Sequence, residues 1–117
     1  TPKDILRNAF DIADCKLLID RARKIGSNNA IEYIGLLYNE VNEDHVMQFL
    51  DMWFSRFQGY DHRIYGRTHA FSIPHYMNEN YSIFTKEFVT SLIDSTIRKP
   101  ISFSQITSNI IIFKVDL

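Results

Sequence analysis

Three of the chain's four histidines, two arginines, two tyrosines and a glycine fall together in the stretch DHRIYGRTHAFSIPHYM, from Asp61 to Met77. Side chains of these types could cleave RNA without a metal. That chemistry needs a base to take the 2′-hydroxyl proton, an acid for the leaving oxygen and a cation beside the phosphate. Histidine supplies the first two near neutral pH, and arginine supplies the third. Under this reading His62, His69 and Arg67 are the candidate catalytic residues, Arg63 is a second cation, and RNA is the partner. The same stretch also reads as a recognition surface. Tyrosine and arginine combine a large contact area with a polar end and are enriched where proteins meet. Arg63, Tyr65, Arg67, Thr68, His75 and Tyr76 are then the candidate binding residues, and a protein is the expected partner.

Other chemistries find less support. His62, His69 and His75 do not follow a helical His-x3-His spacing, and Cys15 is the single cysteine, so no metal is expected. Glycines 26, 35, 59 and 66 are scattered, which gives no phosphate loop and no cofactor motif. A net charge of −1 argues against a general nucleic-acid binder, because each neutralised phosphate needs a Lys or Arg. Locally the balance differs. Arg56, Arg63 and Arg67, with three histidines, meet only Asp61 as an acid between residues 56 and 75. The acids Glu40, Glu43, Asp44 and Asp51 read as a solvated face, with Glu43 and Asp44 placed to suit a helix dipole.

The elements that must hold this stretch can be read from periodicity. Thr1, Pro2 and Asp4 open a helix that carries Ile5, Leu6, Ala9, Phe10 and Ala13. Asp14 offers a cap for a second helix through Leu17, Leu18, Ala22 and Ile25, closed by Gly26; whether one helix or two forms stays open. Asn29 with Glu32 suggests a further start ahead of Ile31, Ile34, Leu37 and Val41. Asn42 caps the next helix, whose stripe Val46, Phe49, Leu50, Trp53 and Phe57 is core.

After Gly59 the period changes from helical to two. Gly66-Arg67 fits a two-residue type II′ loop, which sets Tyr65 opposite Thr68, Ile64 opposite His69, Arg63 opposite Ala70 and His62 opposite Phe71. Tyr60, His62, Ile64, His69, Phe71 and Ile73 then share one face. Asp61, Arg63, Tyr65, Thr68, Ala70 and Ser72 share the other. Pro74 to Tyr81 reads as a loop, and Thr85 as the cap of a helix bearing Phe88, Val89, Leu92, Ile93 and Ile97. Two strands follow from Ile101, joined by a turn near Thr107 to Asn109, with Ile111, Phe113, Val115 and Leu117 on one face.

The expected architecture is one α+β domain over residues 1–117, its helical N-terminal half packed on a small antiparallel sheet formed by the C-terminal half. A hydrophobic fraction of 45% and a charged fraction of 23% suit a packed globule. No apolar run approaches a membrane span, no signal peptide stands at the start, and the single cysteine fits a reducing, cytoplasmic setting. The functional expectation is a small, soluble, non-enzymatic protein-interaction domain, such as an immunity or inhibitor protein or a viral or bacterial interaction module. A toxin-like, metal-independent endoribonuclease is the alternative.

Overall fold

The computed structural model describes residues 4, 5, 8–10 and 14–117. Asp4, Ile5 and residues 8–10 are helical, while Thr1, Pro2, Leu6 and Ala13 of the expected first helix lie outside the described residues. Asp14 has an extended backbone, and its side chain accepts from the Leu17 amide at 3.0 Å. Helix α1, Cys15–Lys24, therefore has a start of its own.

The expected stop at Gly26 and the expected cap at Asn29 are both overturned. The chain passes through a π turn, Ile25–Asn29, where the Ala30 amide donates to the Ile25 carbonyl, and continues as α2, Ala30–Tyr38. Asn29 is itself helical and caps nothing. The reason lies in packing against a later helix, α4, Glu79–Ser95. A Cβ on Gly26 would stand 2.5 Å from the Phe88 carbonyl oxygen and 3.0 Å from the Leu92 amide nitrogen. The glycine lets two helix backbones touch, and in sequence that use looks the same as a stop.

Helix α3, Glu43–Phe54, begins as expected, with Asn42 accepting from the His45 amide at 2.9 Å. Val46, Phe49, Leu50 and Phe57 of its stripe are buried, and Trp53 is partly buried against them. Helix α4 begins earlier than expected. Its cap is Asn78, which accepts from the Tyr81 amide at 2.9 Å, and Thr85 lies inside the helix at 1% exposure. Tyr81 and Thr85 extend the face of Phe88 and Leu92 backward by helical steps, and asparagine caps a helix at least as well as threonine.

The sheet holds β1, Asp61–Tyr65, β2, Thr68–Ile73, β3, Ile101–Ile106, and β4, Ile111–Asp116, all antiparallel in the order β1-β2-β4-β3. Two hairpins thus lie side by side, with α4 as the link between them. The first has the expected register, and Gly66 takes the first loop position at φ +63°. One row of rings crosses all four strands. His62, Phe71, Phe113 and Phe103 are cross-strand neighbours with centroids 4.2, 4.8 and 5.5 Å apart in turn. Phe54 of α3 meets Phe113 edge-on at 6.2 Å, and Val89, Leu92 and Ile93 of α4 complete the same core. The architecture is α+β, with the helices on one face of the sheet.

Gly26→Ala is expected to destabilise the fold by about 1–3 kcal/mol through forced separation of α4 from the π turn. Gly35→Ala, on the same continuous helix but with nothing within 4 Å of the added carbon, is expected to stabilise it by up to about 1 kcal/mol. Urea unfolding of the two variants checks the opposite signs; shifts of the same sign would show that Gly26 does not set the helix spacing.

Candidate functional site

The hairpin's alternation sends His62, His69 and Phe71 toward the helices and Arg63, Tyr65 and Thr68 away from them. His62 stacks on Phe71 at 4.2 Å and links α3 to the neighbouring strand. Its Nδ1 lies 3.1 Å from Asp51 Oδ1, and its Nε2 lies 2.8 Å from His69 Nδ1. The same Asp51 oxygen accepts from the Tyr60 hydroxyl at 2.5 Å. A carboxylate only accepts, so His62 donates to it from Nδ1–H. In neutral His62 the other nitrogen then accepts, so His69 donates from Nδ1–H and carries the free lone pair of the chain on Nε2.

This arrangement can hold and move a proton. Burial, then the neighbouring His62, lowers the His69 pKa below its ordinary 6.5, while Asp44 and Asp51 pull weakly the other way. Burial and the hydrogen bond to Asp51 push the Tyr60 hydroxyl far above its ordinary 10, so it remains a donor. A proton taken at His69 Nε2 can be passed along the imidazoles toward Asp51. The cation that phosphoryl chemistry needs is elsewhere. Arg63 lies on the opposite face, its Nε 2.7 Å from Asp61, and its bonds to Tyr65 first and Asp61 second raise its pKa. The carboxylate of Asp51 touches His62, and the charges of Asp44 and Asp51 both act on His69; they repel a phosphate.

The expected binding residues fall into separate places. Arg63 and Tyr65 are exposed on the outer face of β1, and Thr68 beside them donates to Asp116 at 2.7 Å. Arg67 sits in the exposed turn, where its carbonyl accepts from the Leu117 amide at 2.7 Å. Tyr76 is exposed beyond the other end of β2, about 17 Å or more along the strand.

His75 is not on the surface at all: it is fully buried. The Ser82 hydroxyl gives its one proton to the Thr107 carbonyl at 2.6 Å, so it accepts from His75 Nε2–H at 2.7 Å. His75 Nδ1 accepts from the Met77 amide at 3.0 Å. This histidine ties the loop after β2 to α4 and to the β3–β4 turn, and, being fully buried, it forms no part of an exposed contact surface.

Asp51, an acid of the expected solvated face, has a second use that the sequence does not show: it holds His62 and Tyr60. No local signal marks this use, because Asp51 is half exposed beside the apolar stripe and its partners lie across the chain reversal between α3 and β1. Among the described residues no group of three or more His, Cys, Asp or Glu side chains is arranged to hold a metal ion. No described helix is long and apolar enough to cross a membrane. No protein-family model, curated protein or solved structure matches this chain.

His69 carries a pH dependence of known sign. Below 6.5 the unfolded chain protonates this residue more readily than the folded one, so stability falls as the pH drops through that value and levels off once folded His69 has titrated. The urea midpoint is expected to fall between pH 7.5 and pH 5 more steeply in the wild type than in His69→Gln. Equal slopes in the two proteins would show that His69 contributes nothing to the acid limb.

Proposed function

We propose that this domain binds another protein through the outer face of its sheet, at the end formed by Arg63, Tyr65 and Arg67. One observation carries the reading. The helices cover a single sheet face, and on the other face Arg63 is already fixed by Asp61 and Tyr65, while Tyr65 is 59% exposed. Arg63 pairs with Ala70, then Lys114 and Ser102 across the four strands, and Tyr65 pairs with Thr68 and then Asp116, so on this face the strand beside Arg63 and Tyr65 carries only short side chains. Short side chains on β2, Ala70 and Thr68, leave the arginine and the tyrosine accessible, and the bond of Arg63 to Asp61 lowers the side-chain freedom lost on binding.

The endoribonuclease reading stands second, and the Asp51–His62–His69 chain is what favours it. Neutral His69 is a competent base. Its neighbours are carboxylates and not cations, and Arg63 faces away from it, so the site lacks the electrostatics that phosphoryl transfer needs.

A photo-crosslinking residue in place of Tyr65 would identify the partner, and binding to that partner could then be titrated. Arg63→Ala, Tyr65→Ala and Arg67→Ala together are expected to weaken it about tenfold or more while leaving the urea midpoint unchanged. Unaltered affinity in the triple variant would remove this surface from consideration. RNA incubated with the domain and EDTA is expected to stay intact; cleavage that His69→Ala abolishes would move the assignment to the second reading.

A further inference from the structure

On the helical side, away from the outer sheet face, the π turn and α2 stand apart from α3 and leave a groove of about 500 Å³. That volume lies in the range of pockets that bury small-molecule ligands. Its walls are aromatic and come from three elements. Tyr33 of α2 meets Phe49 of α3 at 6.0 Å, Phe49 stacks with Trp53 at 5.9 Å, and Trp53 meets Phe88 of α4 at 5.3 Å. Ile25 and Met52 add further apolar surface. Ile25 and Asn29 of the π turn line the groove, and π turns of this kind are frequent at functional sites.

Arg56 also lines the groove and is the one charged residue to do so. Its guanidinium lies 4.9 Å over the Trp53 ring, and its Nε donates to the Trp53 carbonyl at 3.2 Å. Stacking and the backbone bond hold the planar group in place and leave its terminal N–H donors available, for it forms no ion pair with a carboxylate among the described residues. An oriented cation at the side of an apolar, aromatic-walled groove is complementary to a molecule with an apolar body and one negative end.

We propose that this groove binds a small apolar monocarboxylate, with its hydrocarbon or aryl part between Tyr33, Trp53 and Phe88 and its carboxylate on Arg56. The inference does not depend on the protein-binding reading, because it uses other residues on another side of the domain. Both carboxylate sources, a fatty chain and an aromatic acid, share this chemistry and can be told apart by titration.

Trp53 is the chain's only tryptophan, so its fluorescence reports the groove directly. Dodecanoate and 2-naphthoate would be titrated below micellar concentrations, with calorimetry in parallel and dodecyltrimethylammonium as the cationic control. The expected result is saturable binding of at least one carboxylate, marked by a change in Trp53 emission, and none of the cation. Preference between the two acids names the source. Arg56→Met is expected to weaken binding about ten- to a hundredfold, the range for losing a charged hydrogen bond. Met52→Glu, which adds a like charge on an exposed wall, is expected to abolish it while the folded far-UV spectrum persists. No saturable response to either acid, equal binding of the cation, or undiminished affinity in Arg56→Met would each overturn the proposal.

Discussion

Phe113 is the contact on which the architecture depends. Its ring is flanked across the sheet by Phe71 and Phe103 and met edge-on by Phe54, so one buried side chain joins both hairpins and α3. Aromatic pairs at these separations add about 0.5–1.5 kcal/mol each beyond the burial of their area. The ring row also decides the chemistry at its end. His62 occupies the last place in the row, and a polar ring stacked there on Phe71 needs partners for both nitrogens. Asp51 and His69 meet that need. The hydrogen-bonded chain is thus, first, the polar termination of an apolar row; its capacity to hold a proton follows from the same placement.

The sheet separates two sets of residues that lie together in sequence. Three residues apart or less, His62, Arg63 and Tyr65 end on opposite faces, so a segment that looks like one composite site becomes a partly buried network and an exposed surface. The separation also assigns the charges. Carboxylates from α3 face the histidines, while the arginine is held by Asp61 on its own strand. For a catalytic reading these are the wrong neighbours, and for a contact surface an arginine already held in position is an advantage.

Much of this was legible from residue order. The hairpin register followed from Gly66 and the period of two, and the face division followed from the register, because both depend on local backbone geometry. The caps at Asp14 and Asn42 were equally local. A residue's use is hidden in the sequence where something distant sets it. Gly26 reads as a stop because its contact with Phe88 and Leu92 cannot be seen along the chain. Thr85 reads as a cap although Asn78 serves that role, and His75 reads as a surface residue although it is buried and bonded to Ser82. The groove beside Trp53 was hidden for a related reason: a stripe at regular helical spacing reads as core whether or not the neighbouring helix closes over it.

The strand order has a kinetic consequence. Each hairpin is formed by neighbouring segments, and such units close in about 1–10 µs. The seam between β2 and β4 is different, since α4 and β3 lie between the two strands in sequence. The loop entropy of that closure must be met before Phe71 and Phe113 reward it, so the middle of the sheet is its least local contact and the natural place for the folding barrier. Unfolding would then begin as the parting of two intact hairpins, exposing the ring row while the turn bearing Arg67 kept its shape.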